Sequence, residues 1–128
     1  MPQKHSYPVP GGRAYWLTEA LWAASRGLPV RQVPIASIPE FEMDCWFVGR
    51  NVPTCRAVAD HARRIQAADL AYPVILAADG RLMDGGHRIA KAYLSGLTDI
   101  AAVRFAIDPP PDWVEAEPTG FEGKNRSS

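Results

Sequence analysis

The chain has 128 residues, 47% of them hydrophobic, which predicts one domain with one core and argues against a disordered chain. Its 14 basic side chains balance its 14 acidic ones, which disfavours a dedicated nucleic-acid binder but leaves a local basic patch open. No apolar run approaches the roughly 20 residues of a membrane span, and no signal-peptide pattern follows the start, so we expect a cytoplasmic protein that does not enter a membrane.

Both ends of the chain are rich in residues that disfavour helices and strands. Residues 1–13 are polar and rich in proline, and they predict a flexible N-terminal arm. Residues 109–128 open with three consecutive prolines and predict an extended proline-rich tail, whose first part Trp113 holds to the body. We therefore expect a single folded domain over residues 14–108.

The first half of that domain predicts two helices and a strand. Thr18 is a plausible N-cap for a helix to about Arg26, and Val30–Ile35 resembles a short strand. Residues 37–53 read as an irregular acidic and aromatic loop. Thr54 predicts the cap of the clearest helix, which runs to about Ala68. Its apolar stripe is predicted from three side chains, Val58, Ala62 and Ile65.

The second half alternates strands and a helix. Pro73–Ala77 is an apolar strand, Asp79-Gly80 is a strong hairpin turn, and Leu82 and Met83 form a short second strand. A helix over Gly86–Ser95 and a strand over Ile100–Phe105 follow. In that helix we expect three side chains to face the core, Ile89, Ala92 and Tyr93. The order predicts an α+β fold, a small mixed β-sheet packed with about three helices.

The stretch Asp84–Arg88, "DGGHR", carries the most chemistry. A helix that begins after a short strand presents unpaired N–H groups and the positive end of its dipole. Gly85 and Gly86 let a ligand approach the backbone, and His87 and Arg88 add donors, which indicates a site for an anion such as phosphate. Asp84 would repel a phosphate, so it is better explained as a metal ligand, a partner of His87 or a proton acceptor.

Structural explanations of the same residues remain open. Asp84 would serve as a plain N-cap if the glycines only made a tight turn. Arg88 would form a structural ion pair with Asp84 or with Asp99. Lys91, one turn later, is expected on the solvated face.

The same residues resemble a known family. "YPVILAADGRLMDGGHRIAKAYLSGLTDIAAVRF" is similar to the core of the ParB/sulfiredoxin superfamily, the ParB-like nuclease domain, whose hallmark is a "DG.HR..A" turn between a strand and a helix. The resemblance extends over about Val30–Phe105. It implies a small α+β domain that binds a nucleotide, ATP, ADP or CTP, together with magnesium.

By that resemblance, four motif residues would contact the phosphates: Gly85, Gly86, His87 and Arg88. Asp84 matches the acid that serves as general base in the free-serine kinases of the superfamily, and we expect Asp84 and His87 to be the catalytic residues. Those kinases also use a glutamate after the first strand, which Glu40 or Glu42 would match. Asp84 and Glu42 are accordingly the expected metal ligands.

Departures from the family narrow the function. Sulfiredoxins carry a cysteine between the glycines and the histidine, whereas His87 follows Gly86 directly, so we do not expect sulfinic-acid reductase activity. We also expect no partition-protein role, because about 20 residues after the last strand leave no room for a helix-turn-helix and a dimerisation domain. Nuclease chemistry is weakly supported, since two-metal sites need several converging carboxylates and Asp84 alone is firmly placed.

Several other residues have a plain interpretation beside a functional one. Three acids alternate in "EFEMDCW", Glu40, Glu42 and Asp44, and either bind magnesium or a substrate amine, or lie on a solvated loop. We expect Cys45 and Cys55 to be buried apolar residues and His61 to lie on a helix flank without a catalytic role. Trp16 and Trp22 are expected to anchor the first helix to the core.

Two functions from different classes follow. One is an enzyme, a magnesium-dependent phosphotransferase or NTPase that acts on a small molecule. The other is a non-catalytic module that senses a nucleotide or binds DNA or a protein. The neutral net charge favours a protein partner over DNA. The sequence leaves the nucleotide, the acceptor and the oligomeric state open.

Overall fold

The computed structural model describes residues 3–48 and 51–116, which form two β-sheets and three α-helices. The seven strands are β1 (Lys4–Val9), β2 (Gly12–Leu17), β3 (Arg31–Pro34), β4 (Val74–Leu76), β5 (Leu82–Asp84), β6 (Asp99–Arg104) and β7 (Trp113–Ala116). The helices are α1 (Thr18–Ser25), α2 (Cys55–Ala67) and α3 (Gly86–Leu94), with 3₁₀ turns at Ile35–Ser37 and Pro39–Glu42.

The larger sheet has the order β3-β6-β4-β5 and is mixed, because β4 and β6 run parallel while the other pairs are antiparallel. This confirms the predicted α+β class. The Asp79-Gly80 turn joins β4 to β5 as expected, and Gly80 adopts the positive φ that such a turn favours. Asp84 is the last residue of β5, so the motif begins at the edge of this sheet.

The smaller sheet corrects the prediction for both chain ends. Residues 4–17 are an antiparallel hairpin, not a flexible arm, because Pro10 and Gly11 (φ +79°) form its two-residue turn. On the far side of β2, β7 pairs within the supposed tail. Trp113 does hold this segment, since its ring stacks on that of Tyr15 with centroids 5.0 Å apart. Residues 117–128 lie outside the described part of the chain.

The mixed sheet is covered on both faces. One face packs against α3 and the 3₁₀ turns through Ile38, Val74, Leu76 and Ile89. The other packs against α1 and Trp16 through Leu21, Ile75 and Phe105. Alternation along β4 sends Ile75 to one core and its two neighbours to the other.

Three burial predictions are wrong. Tyr93 is 61% exposed, because the α3 face that packs on the sheet is set by Ile89 and Ala92. Cys45 and Cys55 are both exposed thiols, since one lies in a surface loop and the other in the first turn of α2. Thr18 does not cap α1: Leu17 holds the cap position, and Thr18 is buried as the first helical residue.

Helix α2 lies on the outside of α3 and has no buried residue. Its cap is as predicted, with the Thr54 hydroxyl accepting from Ala57 N–H at 3.1 Å. The predicted apolar stripe is wrong, however, because Val58 and Ala62 are exposed. The half-buried side chains at four-residue spacing are Ala57, His61 and Ile65, so His61 lies on the inward face. No helix within the described residues is long and apolar enough to cross a membrane.

Candidate functional site

The two glycines of the motif do different things. Gly85 has φ +123°, and a Cβ there would lie 2.5 Å from Val74 Cγ1, so this position needs glycine to turn the chain against β4. Gly86 is the first residue of α3, and a Cβ built on it would lie 3.6 Å from the Trp46 indole nitrogen. The indole therefore covers the helix entrance on which the predicted phosphate contacts depend.

Asp84 and Arg88 are bound to the protein itself. Asp84 Oδ2 accepts hydrogen bonds of 2.7 Å from Arg88 Nη2 and from Trp22 Nε1. The Arg88 guanidinium also donates to the carbonyl oxygens of Tyr72 and Pro73, at 3.1 and 2.8 Å. The Arg88 and Asp84 side chains are only 13% and 17% exposed. The interpretation of Arg88 as a structural ion-pair partner of Asp84 is thus confirmed.

This network changes three expectations. Gly85, not Asp84, holds the N-cap position of α3, and no side chain caps that helix, so Asp84 is not a plain N-cap. Arg88 spends its donors on two carbonyls and a carboxylate, which leaves it poorly placed to grip a phosphate. Trp22 contacts Asp84 rather than the core and is 53% exposed, whereas Trp16 packs against the second core as expected.

His87 lies in a stack of three aromatic rings. The Trp46 indole is nearly parallel to the His87 ring, with centroids 4.8 Å apart, and also stacks on His61 at 4.9 Å. His61 Nδ1 and His87 Nε2 are 2.9 Å apart and share a proton in a hydrogen bond. Phe47 adds an edge contact to His61. His61 and Trp46 are therefore the site residues that sequence reasoning missed; the four-residue spacing of Ala57, His61 and Ile65 was the available signal.

The surroundings of the pair disfavour its protonated forms. The pKa of His87 is lowered to about 4, mainly by burial and also by the nearby charges of His61 and Arg64, while Asp84 acts in the opposite direction. Burial and Arg64 also lower the pKa of His61, with Asp60 acting in the opposite direction. His87 is consequently neutral at pH 7, and one of the two rings donates to the other across this contact.

A cavity of about 380 Å³ opens beside this pair. Its lining residues are Trp46, Phe47, Asn51, Val52, Thr54, Ala57 and His61. The start of α2 forms one wall. There the Thr54 hydroxyl accepts from the Ala57 N–H, and the Thr54 carbonyl oxygen accepts from the Val58 N–H. The N–H groups of Cys55 and Arg56 lie too early in the helix to have an intrahelical acceptor. Among the described residues neither group has a hydrogen-bond partner. The cavity thus joins aromatic faces to His61, and Thr54 and Ala57 place the start of α2 in its wall.

The acidic loop does not gather its carboxylates. It is a 3₁₀ turn rather than an extended strand, so the three side chains diverge. Glu40 accepts from the Leu82 N–H on β5 at 2.9 Å, and Asp44 accepts from the backbone of Trp46 and Phe47. Glu42 is exposed, and within residues 3–48 and 51–116 no three His, Cys, Asp or Glu side chains converge as a metal site. Of the two candidates, Glu40 lies closer to the strand of Asp84.

Lys91 also departs from its prediction. It is not solvated but donates to the carbonyls of Gln66 and Ala68 at 2.9 and 2.6 Å, where α2 ends. Together with the histidine pair, this contact ties α2 to α3 at two heights.

Comparisons with protein-family models, curated proteins and solved structures found no match to this chain. The resemblance to the ParB/sulfiredoxin superfamily therefore stays a prediction drawn from the motif.

Proposed function

We propose that the chain binds a nucleotide, with its phosphates at His61 and the start of α2 and its base against the aromatic side chains. The observation that carries this proposal is the hydrogen-bonded His61–His87 pair beneath Trp46, beside an aromatic-lined cavity of about 380 Å³. The cavity is within the size range of metabolite sites, and every base offers a face that stacks on an indole. The nucleotide proposed from the motif is retained, but its location moves to the α2 side.

The charge around the cavity suits an anion. Helix α2 carries Arg56, Arg63 and Arg64 against a single acid, Asp60. Asp60 accepts from Arg63 across an exposed 3.4 Å ion pair. Arg64 is close enough to influence both histidines, and the start of α2 adds the positive end of a 13-residue helix.

His61 is the proton-bearing contact in this proposal. Its Nδ1 is held by His87, which leaves Nε2 for a ligand. A phosphate beside Nε2 favours the protonated ring, which then donates from Nε2 to the phosphate and from Nδ1 to neutral His87. His87, predicted as a phosphate contact and catalytic residue, acts here as a positioning residue. Magnesium would be held mainly by the nucleotide phosphates and would offset their charge, because no three His, Cys, Asp or Glu side chains of the described residues converge as a metal site.

Binding is favoured over catalysis. A general base must reach the proton that it abstracts, whereas the Asp84 side chain is only 17% exposed and already accepts from Arg88 at 2.7 Å. Both hydrogen bonds to Asp84 reach the same oxygen, Oδ2. A phosphotransferase or NTPase that uses Asp84 remains the second candidate, and phosphate release by wild type and by Asp84→Asn separates the two functions. Equal rates in both proteins would exclude Asp84 as the base.

The test is a calorimetric titration of ADP, ATP and CTP with magnesium into the wild-type chain, His61→Gln and His5→Gln. The chain has three histidines, so His5→Gln on β1, a residue that does not line the cavity, is a matched control. We expect His61→Gln to weaken binding about tenfold through loss of a charge-assisted hydrogen bond, with His5→Gln unchanged. Wild-type binding should strengthen between pH 7 and pH 5.5 as His61 protonates. Absence of binding by all three nucleotides at millimolar concentration would refute the proposal.

A further inference from the structure

A second cavity, of about 350 Å³, opens at the opposite end of β4 from the motif, near the Asp79-Gly80 turn. Its floor belongs to the mixed sheet, where Val33, Leu76 and Ala102 come from three neighbouring strands. Ile38 and Pro39 form a side wall. These are apolar side chains continuous with the first core, so the floor is pre-formed and dry.

Two arginines stand over that apolar floor. Arg31 lies opposite Ala102 in the β3–β6 register, and Arg104 lies two residues beyond Ala102, so both project from the same face of the sheet. Arg104 donates to the carbonyl oxygen of Ala78 through Nε and Nη2. These two hydrogen bonds fix its guanidinium. Its Nη1 lies 3.9 Å from the position that a Cβ on Gly80 would occupy. Arg31 has no hydrogen-bond partner among the described residues.

The charges at this cavity do not cancel. Asp79 is the one acid in its lining, and Arg81 holds it with a side-chain ion pair and a 3.0 Å backbone hydrogen bond. Arg31 and Arg104 are therefore an excess of two positive charges at the mouth. No described residue accepts from the Arg31 guanidinium, which is therefore available to pair with a planar carboxylate. Arg104 already donates to Ala78 through Nε and Nη2, so it adds its pre-fixed Nη1.

We propose that this cavity binds a small aliphatic carboxylate, with its acid group between Arg31 and Arg104 and its apolar body on Val33, Ile38 and Leu76. The site is separate from the histidine pair and does not depend on the nucleotide proposal. A carboxylate fits better than a phosphate ester because most of the lining is apolar and its charged donors are the two arginines.

The experiment titrates the full chain with acetate, butanoate, hexanoate, hexanamide and inorganic phosphate, by calorimetry at constant ionic strength. We expect affinity to rise from acetate to hexanoate as more CH₂ groups are buried, and hexanamide and phosphate to bind at least tenfold more weakly than hexanoate. Arg31→Gln and Arg104→Gln should each weaken hexanoate binding about tenfold. Arg26→Gln, an arginine that follows α1, is the matched control and should bind as wild type does.

Other outcomes overturn the proposal. Phosphate binding as tight as that of hexanoate would exclude the carboxylate class, and equal affinity of wild type and Arg31→Gln would exclude this location. Arg31→Gln removes no hydrogen bond within the described residues, so it tests the site even if Arg104→Gln fails to fold. His61→Gln should leave hexanoate binding unchanged and Arg31→Gln should leave ADP binding unchanged, so failure of one proposal is distinct from failure of the other.

Discussion

The two halves of the motif turn have opposite fates. Asp84 and Arg88 form hydrogen bonds within the protein and are mostly buried. They bind each other, Asp84 also accepts from Trp22, and Arg88 also donates to two backbone carbonyls. His87 turns away from them and meets His61 from another helix. The motif thus supplies an internal brace and, through His87, a hydrogen-bond partner for His61, which lines the open cavity.

The difference between the Asp84–Arg88 pair and His87 indicates where a ligand would bind. Donors that already have good acceptors gain little from an anion, because a bond to the ligand only replaces a bond to the protein. The cavity is lined by His61, whose Nδ1 is bound to His87 while its Nε2 is left for a ligand, and the start of α2 lies in its wall. The sequence predicted four phosphate contacts, Gly85, Gly86, His87 and Arg88, whereas the geometry favours the α2 side of the histidine pair.

The largest effect is expected at the glycines. Gly85→Ala forces a Cβ into Val74 at a positive φ, and we expect a loss of about 3–5 kcal/mol in the free energy of unfolding. Gly86→Ala meets only Trp46 at 3.6 Å and should change that free energy by less than about 1 kcal/mol. Urea unfolding of both variants measures the difference. Equal losses would contradict the separate roles of the two glycines.

The next effect concerns the brace. Asp84→Ala leaves the Arg88 guanidinium without its carboxylate in a mostly buried position, and we expect a loss of about 2–4 kcal/mol in stability. Asp60→Ala breaks the exposed pair with Arg63 and should cost less than about 0.5 kcal/mol. Denaturant curves of the two variants make the comparison, and a loss for Asp84→Ala as small as that of the control would show that the brace contributes nothing.

Replacing Trp46 should change nucleotide affinity in opposite directions for the two possible positions of the phosphate, the α2 cavity and the α3 entrance at Gly86. Trp46→Ala removes a stacking surface, so nucleotide binding in the α2 cavity should weaken at least fivefold. A phosphate seated over Gly86 would instead bind more tightly, because the indole that covers this entrance is gone. Trp113→Ala, on the smaller sheet, is the control, and titration with ADP and magnesium reads out all three proteins.

The smallest effect is a pH dependence of stability. The pKa of His87 is about 4 when folded against an ordinary 6.5, so the unfolded chain binds more protons between these values and stability falls as pH drops from 6.5 towards 4. Allowing for solvent around a half-buried ring, we expect about 1 kcal/mol from this residue. In His87→Gln the slope of unfolding free energy against pH should be shallower, and an unchanged slope would contradict the assignment.

Much of the fold could be predicted because its signals are local. The Asp79-Gly80 turn, the Thr54 cap and the periodicity of α3 fix β4, β5, α2 and α3 to within one or two residues. The hairpin of β1 and β2 was missed because its prolines suggested a loose arm, although Pro10-Gly11 is a turn signal. The His61–His87 contact joins residues 26 apart and depends on how α2 packs, which no local pattern records.

The most direct test is a crystal structure with ADP and magnesium. Our account predicts a phosphate oxygen within hydrogen-bond distance of His61 Nε2, with Trp46 still over Gly86 and Arg88 still on Asp84. A phosphate bound instead by the Gly85–Gly86 backbone and a released Arg88, with the indole moved aside, would contradict it.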